Sequence, residues 1–272
     1  MRSARAEDFF SSLMCSNNRF RWALAVLLTL GLQWPASAGV MLGGTRVILG
    51  EKDREASIPV KNTGVSPYVV QSWIDAGEGR NKTPLLVTPP LSRLDPGMEN
   101  ILRIMRTTGE LPSDRESVFW LNVKEIPEKS RDENVLQIAV RSRIKVFYRP
   151  SGLQGKSDQS RAQLRWAVSA GAQGQGAVLK IANPTGYHVT FTALNVNNGQ
   201  QLINADMVPP FGEVAYPLSA VKAPQAVQVG YTTLNDYGGE TPEERVQVPA
   251  GAEPVAVTVE TVTPPPADGA KR

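Results

Sequence analysis

The sequence predicts an all-β protein with two β-sandwich domains, and three observations support this prediction. The length of 272 residues suits one large or two ordinary domains. The 23 Gly and 21 Pro, together with abundant Val and Thr, favour many short strands joined by turns over long helices. From residue 40 onward, apolar and polar residues alternate in short runs about ten residues apart, as in the strands of a sandwich.

The N-terminal segment predicts a secretory signal peptide over residues 1–38. Arg19 and Arg21 precede the uncharged run 22–32, and Ala36-Ser37-Ala38 follows it. The alternative is a transmembrane anchor, but a run of about 11 residues is short for a hydrocarbon core that requires about 20 helical residues. We therefore expect cleavage after Ala38 and export, with no membrane span in the mature chain.

Charge and cysteine content exclude several classes of function. The 29 Lys+Arg and 26 Asp+Glu give a net charge of +3 without long blocks of one sign, so we expect no nucleic-acid partner. Cys15 is the single cysteine and His188 the single histidine, which excludes a disulfide framework and a Cys/His zinc site. Cys15 would leave with the signal peptide. The sequence leaves open whether translation starts at Met1 or Met14.

In the mature chain, the strands follow from alternation bounded by turn residues. The runs 56–60 and 68–74 in the first half are separated by turn sequences such as Asn62-Thr63-Gly64. In the second half, strands are predicted at residues 163–169, 177–182, 187–195, 213–218, 226–234 and 245–248.

A polar, Gly-rich segment near residues 151–160 separates these two halves, as expected of an interdomain linker. We therefore predict a first sandwich over residues 39–155 and a smaller second sandwich over residues 156–249. After Pro249 the chain is rich in Ala, Val, Thr and Pro and cannot bury a core, so residues 250–272 are expected to form a disordered tail.

The residues give little support for catalysis. His188 sits in the alternating run Tyr187–Phe191, where a strand is the better interpretation. A periplasmic hydrolase is an alternative, but the chain has no Gly-x-Ser-x-Gly nucleophile elbow and its acidic pairs have the pattern of solvated charges. We therefore expect a protein that is not an enzyme.

Several segments occur together at spacings that are more specific than any single motif. The longest is residues 114–127, followed by 134–140 and 143–150. Shorter segments are Thr88-Pro89-Pro90, Arg93–Gly97, Ile181–Tyr187 and Asn235–Gly239. Together they resemble the periplasmic pilus (fimbrial) chaperones, the PapD-like family, over nearly the whole mature chain except the tail.

The resemblance implies two immunoglobulin-like sandwiches in a boomerang arrangement, with a cleft between them and no ATP or other cofactor. It also implies a function: such chaperones bind pilus subunits in the periplasm and deliver them to an outer-membrane usher. The subunit lacks its last strand, and the chaperone lends one of its own, which is donor-strand complementation. The short, charged loop 127–133 is similar to that of the short-loop branch of the family.

Leu136, Ile138 and Val140 are the expected donor-strand residues. Their side chains alternate with Gln137, Ala139 and Arg141, and the resemblance assigns them to the groove of the subunit. The alternative is that the three apolar side chains face the protein's own core.

The resemblance also assigns two cations, Arg46 and Lys145, to the C-terminal carboxylate of the subunit, through charge-assisted hydrogen bonds. For either residue alone, the alternative is a solvated strand charge. Strict alternation from Ile138 places Lys145 on the opposite face of the strand, so this role requires strand twist or a bulge.

Glu116, Arg149 and Asp236 match three family positions that form an ion network between the sandwiches. The alternative for each is a surface charge at a strand end, where an exposed pair contributes only about 0 to 1 kcal/mol.

A different class of function, a secreted immunoglobulin-like adhesion or carbohydrate-binding module, is the main alternative to the chaperone. Such a module would carry aromatic clusters in its loops for stacking. Here Trp73, Trp120 and Trp166 all lie within strand patterns, which disfavours it.

Overall fold

The computed structural model describes four parts of the chain, namely residues 39–80, 82–129, 136–171 and 176–262. The predicted signal peptide lies outside the described residues, as do part of the loop 127–133 and the end of the predicted tail. Within the described parts, no helix has the length and apolar character that crossing a membrane requires.

The first sandwich contains the following strands: β1 (Val40–Leu42), β2 (Arg46–Gly50), β3 (Ala56–Asn62), β4 (Tyr68–Asp75), β5 (Leu85–Thr88), β6 (Leu91–Leu94), β7 (Glu99–Arg106), β8 (Ser117–Pro127) and β9 (Arg141–Arg149). One sheet has the strand order β1-β3-β7-β5, and the other has the order β2-β9-β8-β4-β6. Alternation places Ile58 and Val60 of β3 in the core, where they pack with Leu102 and Leu121 from both sheets.

Strand β9 is covered unequally by its two neighbours. On one side, β8 pairs with it from Arg141 to Tyr148. On the other side, β2 runs parallel to β9 and pairs with it only from Lys145 to Arg149. Among the described residues, the stretch 141–144 therefore has one edge without a strand partner.

The second sandwich begins with one helical turn, α1 (Ser157–Ser160), within the segment for which the sequence predicted a polar linker. Its strands are β10 (Arg165–Ala170), β11 (Ala177–Ala182), β12 (Val189–Val196), β13 (Gln201–Leu202), β14 (Met207–Val208), β15 (Glu213–Leu218), β16 (Val227–Thr233), β17 (Glu244–Val248), β18 (Val255–Ala256) and β19 (Val259–Thr261). The sheets have the orders β15-β11-β10-β18 and β13-β12-β16-β17-β19, with β14 paired to β12.

An aromatic cluster fills the middle of the second core. Trp166 is fully buried, and its ring centroid lies 5.2 Å from that of Tyr231 and 6.3 Å from that of Phe191. The rings of Phe191 and Tyr231 meet edge to face at 5.8 Å. These two separate cores confirm the prediction of an all-β chain with two sandwich domains.

Strands β18 and β19 correct the prediction for the tail. Disorder was expected for residues 250–272, and this is wrong for the part that the structure describes, which ends at residue 262. Val255 of β18 pairs with Trp166 of β10, and Val259 of β19 pairs with Val246 of β17. The segment needs no core of its own, because its valines extend a core that the rest of the domain has already formed.

Candidate functional site

A cavity of about 380 Å³ lies between the two sandwiches and brings together four of the residues that the sequence singled out. Arg46 lines it from the start of β2, and Glu116 and Arg149 line it from one end of the β8–β9 pair. Asp236 lines it from the turn that follows β16 in the second sandwich.

The guanidinium of Arg149 joins the two sandwiches. Its Nε donates a hydrogen bond to Oε1 of Glu116 at 2.7 Å. Its Nη1 and Nη2 donate to the two carboxylate oxygens of Asp236 at 2.7 and 2.8 Å. The side chain of Glu116 is 2% exposed, that of Arg149 22% and that of Asp236 35%. The planar fork of one arginine thus bridges carboxylates from both domains.

Other donors support the two carboxylates of this network. The backbone N–H of His188 donates to Oε2 of Glu116 at 2.8 Å, and the Ser157 hydroxyl donates to Oδ1 of Asp236 at 2.9 Å. Ser157 belongs to α1, so the helical turn in the linker has a role that the sequence analysis missed. Two carboxylates facing one guanidinium leave an excess negative charge, and these donors help to stabilise it.

Electrostatics keep the network charged. Burial acts to lower the pKa of Arg149, but its hydrogen bonds to Asp236 and the charge of Glu116 outweigh burial, and the pKa lies above its ordinary value. For Asp236, burial acts to raise the pKa, but the bonds from Arg149 dominate and hold it below its ordinary value.

The turn that carries Asp236 is built for close approach to the first sandwich. The Asn235 side chain accepts hydrogen bonds from the backbone N–H groups of Tyr237 and Gly239 at 2.9 and 3.0 Å, which closes the turn. Gly238 has a φ of 80°, and a side chain there would collide with the Thr45 hydroxyl. The Asn-x-x-Gly pattern therefore lets this turn contact the residue that precedes Arg46.

Arg46 lies beside this network without joining it. Its guanidinium carbon lies 5.6 Å from the ring centroid of Phe147, whose ring meets that of His188 at 5.3 Å. Its Nε is buried and has no hydrogen-bond partner among the described residues. Burial lowers the pKa of Arg46, although the charges of Asp236 and Glu116 oppose the shift. Arg46 therefore lines the cavity with a buried Nε–H that has no acceptor among the described residues.

Lys145 is the direct neighbour of Arg46 across the β2–β9 pair. Its ammonium contacts Oδ1 of Asp206 in the second sandwich at 2.5 Å, and the two side chains are 19% and 78% exposed. The register of β8 and β9 runs from Arg141 to Tyr148 without a shift, so β9 contains no bulge there. Ile138 lies outside β9, so alternation counted from it does not determine the direction of Lys145.

Leu136, Ile138 and Val140 lie on the surface, 86%, 70% and 50% exposed. The alternative that they pack in the protein's own core is therefore wrong. Between them, the Gln137 side chain donates to the Glu128 carbonyl at 2.7 Å, and the Val140 carbonyl accepts from the Glu125 N–H at 3.0 Å. These bonds hold the segment against the end of β8, with its three aliphatic side chains turned to solvent.

The exposed aliphatic residues and the two cations share one edge of the sheet. The unpaired edge of β9 covers residues 141–144 and ends where β2 begins to pair with β9, at Arg46 and Lys145, and the three aliphatic residues lie in the segment directly before it. Sequence reasoning found the alternation of the three aliphatic residues directly, but it assigned their donor role and the two cations only through the resemblance. It missed Asp206, which lies 61 positions from Lys145, and no local pattern indicates their contact.

Comparison with known proteins identifies the family of this chain. Residues 39–154 match the family model described as "Pili and flagellar-assembly chaperone, PapD N-terminal domain". Residues 159–245 match "Pili assembly chaperone PapD, C-terminal domain". The chain belongs to the PapD-like family of pilus-assembly chaperones. The chaperone is accordingly not an enzyme, and its strands β18 and β19 lie beyond the residues that match.

Individual relatives agree with the family models. The chaperone is similar to Chaperone protein LpfB of Salmonella typhimurium, at 43% identity over 79% of this chain and 91% of LpfB. The crystal structure of the YadV chaperone gives a TM-score of 0.67 at 34% identity, over 78% of this chain and 100% of that chain. A structure of the Salmonella enterica SafA pilin with the SafB chaperone gives 0.66 at 28% identity, over 77% and 96%.

The positions of the tryptophans bear on the alternative of a carbohydrate-binding module. Trp73, Trp120 and Trp166 lie within β4, β8 and β10, so these residues do not form the loop cluster that a carbohydrate-binding module would require. In the parts of the chain that the structure describes, no group of three or more His, Cys, Asp or Glu side chains is arranged to hold a metal ion.

Proposed function

We propose that this chaperone binds a pilus subunit in the periplasm by donor-strand complementation and delivers it to an outer-membrane usher. One observation carries the proposal: an unpaired edge of β9 continues into three exposed aliphatic side chains and ends at two cations. The similarity to a chaperone that was crystallised with a pilin supports a pilus subunit as the client.

The unpaired edge defines where a client strand would lie. Strand β2 occupies the neighbouring position only from Arg46 onward, so a client strand beside residues 136–144 would extend the same row of the sheet. Its backbone would pair with the open edge, while Leu136, Ile138 and Val140 would fill apolar pockets of the client.

The cations define the direction of that strand. A carboxyl terminus located at Arg46 and Lys145 lies at the downstream end of the edge, so the client strand would run parallel to β9. The buried Nε–H of Arg46 has no acceptor among the described residues, and Lys145 contributes a second positive charge on the adjacent strand. Two cations on one carboxylate give charge-assisted hydrogen bonds that are about twice as strong as neutral ones.

Delivery requires a second surface, because a bound client would cover the edge at 136–144. Val69, Leu91 and Ile126 are exposed apolar side chains on β4, β6 and β8, and Val69 pairs with both Ile126 and Arg93. We assign this patch to the usher. Ile126→Asp should reduce binding of the usher's periplasmic domain to the chaperone–subunit complex, while subunit capture stays unchanged.

Hydrogen exchange on the complex tests the donor-strand proposal. A pilus subunit co-purified from the periplasm should slow exchange at those backbone N–H groups of residues 136–144 that point away from β8, because only these can pair with the client. Those of β7, in the opposite sheet, serve as the internal control and should not change. Subunit binding without protection at 136–144 would contradict the proposal.

A further inference from the structure

The client-free chaperone already holds a carboxylate at one of its two anchor cations. Oδ1 of Asp206, in the second sandwich, lies 2.5 Å from Nζ of Lys145, in the first. The lysine side chain is largely buried, whereas the aspartate side chain is 78% exposed. The group that Asp206 presents is chemically the same as the C-terminal carboxylate of a client.

The backbone of Asp206 is fixed, so this contact is more than a chance meeting of two flexible side chains. Its carbonyl accepts the Phe191 N–H at 2.8 Å. The next two residues form β14, which pairs with β12. The carboxylate is therefore presented to Lys145 from an anchored position of the second sandwich.

We propose that Asp206 is an internal competitor that occupies Lys145 in the client-free chaperone and is displaced by the client's C-terminal carboxylate. This inference rests on the proposed function. The exchange replaces one carboxylate with another at the ammonium, so the charge around Lys145 is conserved. The released Asp206 is already mostly in water, and its loss of an exposed ion pair costs little.

The geometry also explains why a client can win this competition. Asp206 contacts Lys145 and leaves the Nε of Arg46 without a hydrogen-bond partner. A client carboxylate located between the side chains of Arg46 and Lys145 can bind both cations. It thereby gains a contact that Asp206 does not make. Asp206 thereby lowers the affinity for the client terminus without preventing its capture.

The test measures binding of a peptide with the sequence of a pilus subunit's last strand, in free-carboxylate and C-terminally amidated forms. Asp206→Asn should bind the free-carboxylate peptide about two- to five-fold more tightly than the wild type, the range expected for loss of an exposed competing ion pair. Binding of the amidated peptide should be unchanged. In a Lys145→Ala background, the gain from Asp206→Asn should disappear.

Glu213→Gln is the matched control, because it removes one negative charge from the same sandwich. The ion pair of Glu213 with Lys180 is long, at 3.9 Å. This control variant should leave both affinities unchanged. The inference would be overturned if Asp206→Asn bound the free-carboxylate peptide no more tightly than the wild type while the single variant Lys145→Ala lost the preference for the free carboxylate. That result would leave the proposed function standing. Equal binding of the two peptides by the wild type would overturn both.

Discussion

At the scale of single residues, the two arginines of the cleft differ in their hydrogen bonds. Arg149 directs three N–H groups at two carboxylates, so it has little left for a ligand. Arg46 lies within the same field of Glu116 and Asp236, yet its Nε has no partner among the described residues. This difference in hydrogen bonding supports the proposal that Arg149 links the sandwiches while Arg46 receives the client carboxylate.

Arg46→Ala should reduce binding of the free-carboxylate client peptide by about tenfold or more, because a hydrogen bond to a charged group contributes roughly 1.5 to 3 kcal/mol. Its melting temperature should stay close to that of the wild type, since the Arg46 Nε has no hydrogen-bond partner among the described residues. Lys145→Ala should behave in the same way, and the double variant should lose capture. Normal capture of a pilus subunit by the double variant would refute the anchor role.

Asp236 should make part of the stability depend on pH. Its pKa in the folded chaperone lies below the ordinary value of 3.8, so its contribution is fully present above that value and is lost as pH falls through the folded pKa. Urea unfolding should show that Asp236→Asn is less stable than the wild type at pH 7, and that the difference shrinks below about pH 4.

Asp95→Asn is the control for this pH series, because Asp95 forms an exposed pair with Arg93 away from the cleft. Its effect on the free energy of unfolding should stay within about 0 to 1 kcal/mol at every pH of the series. A difference between Asp236→Asn and the wild type that stays constant from pH 7 to pH 2 would show that the Asp236 carboxylate does not titrate with folding.

At the scale of elements, the segment before β9 is held in place without being buried. Gln137 and the Val140 carbonyl attach it to the end of β8, while its aliphatic side chains contact solvent. Three large exposed apolar residues in one short segment cost solubility in a free protein and are typical of a surface that a partner covers.

Ile138→Asp should therefore weaken client binding much more than it destabilises the chaperone. Burial of a large aliphatic side chain contributes about 1.5 to 3 kcal/mol, so the dissociation constant should rise tenfold or more. Ile101→Asp is the control, since Ile101 is 46% exposed on β7 in the opposite sheet. Equal losses of melting temperature and binding in Ile138→Asp would favour a structural role for Ile138.

Strands β18 and β19 give a second prediction at this scale. β18 pairs with β10 and β19 pairs with β17, and each is the last strand of its sheet. A chain that ends at Pro249 would therefore leave β10 and β17 as exposed edge strands. Loss of the partly buried valines should lower the free energy of unfolding by about 1 to 3 kcal/mol and promote aggregation. A chain that ends at Val262 retains both strands and should match the full chain in denaturant unfolding and light scattering.

The sequence predicts elements where the signal is local and fails where it depends on distant residues. Alternation in β3 and β4 and the turn residues beside them are sufficient to predict both strands. β18 and β19 are too short to show an alternation of apolar and polar residues. They become ordered by pairing with the edges of β10 and β17, which exist only after the domain has folded. Likewise, Arg149 and Asp236 are 87 positions apart, so only the resemblance indicated their contact.

At the scale of the whole molecule, the two sandwiches meet through contacts made by single residues at the cleft. Lys145 reaches Asp206, Arg149 reaches Asp236, and the turn at Gly238 approaches Thr45. The first of these contacts is the one that a client would exchange, and the second is more buried and uses the full guanidinium. We therefore expect the Arg149 network to maintain the relative position of the sandwiches during client binding.

Arg149→Ala tests this expectation. The change leaves Glu116, whose side chain is 2% exposed, with a buried charge and without its arginine partner, so unfolding in denaturant should show a loss of about 3 to 5 kcal/mol. An exposed pair would contribute only about 0 to 1 kcal/mol, and a loss in that range would place the network energetically at the surface. Arg149→Lys keeps the charge without the planar fork, so it should recover only part of the stability, because one ammonium cannot bridge Glu116 and both oxygens of Asp236. Client affinity should change little in either variant, because Arg46, Lys145 and the donor edge all belong to the first sandwich.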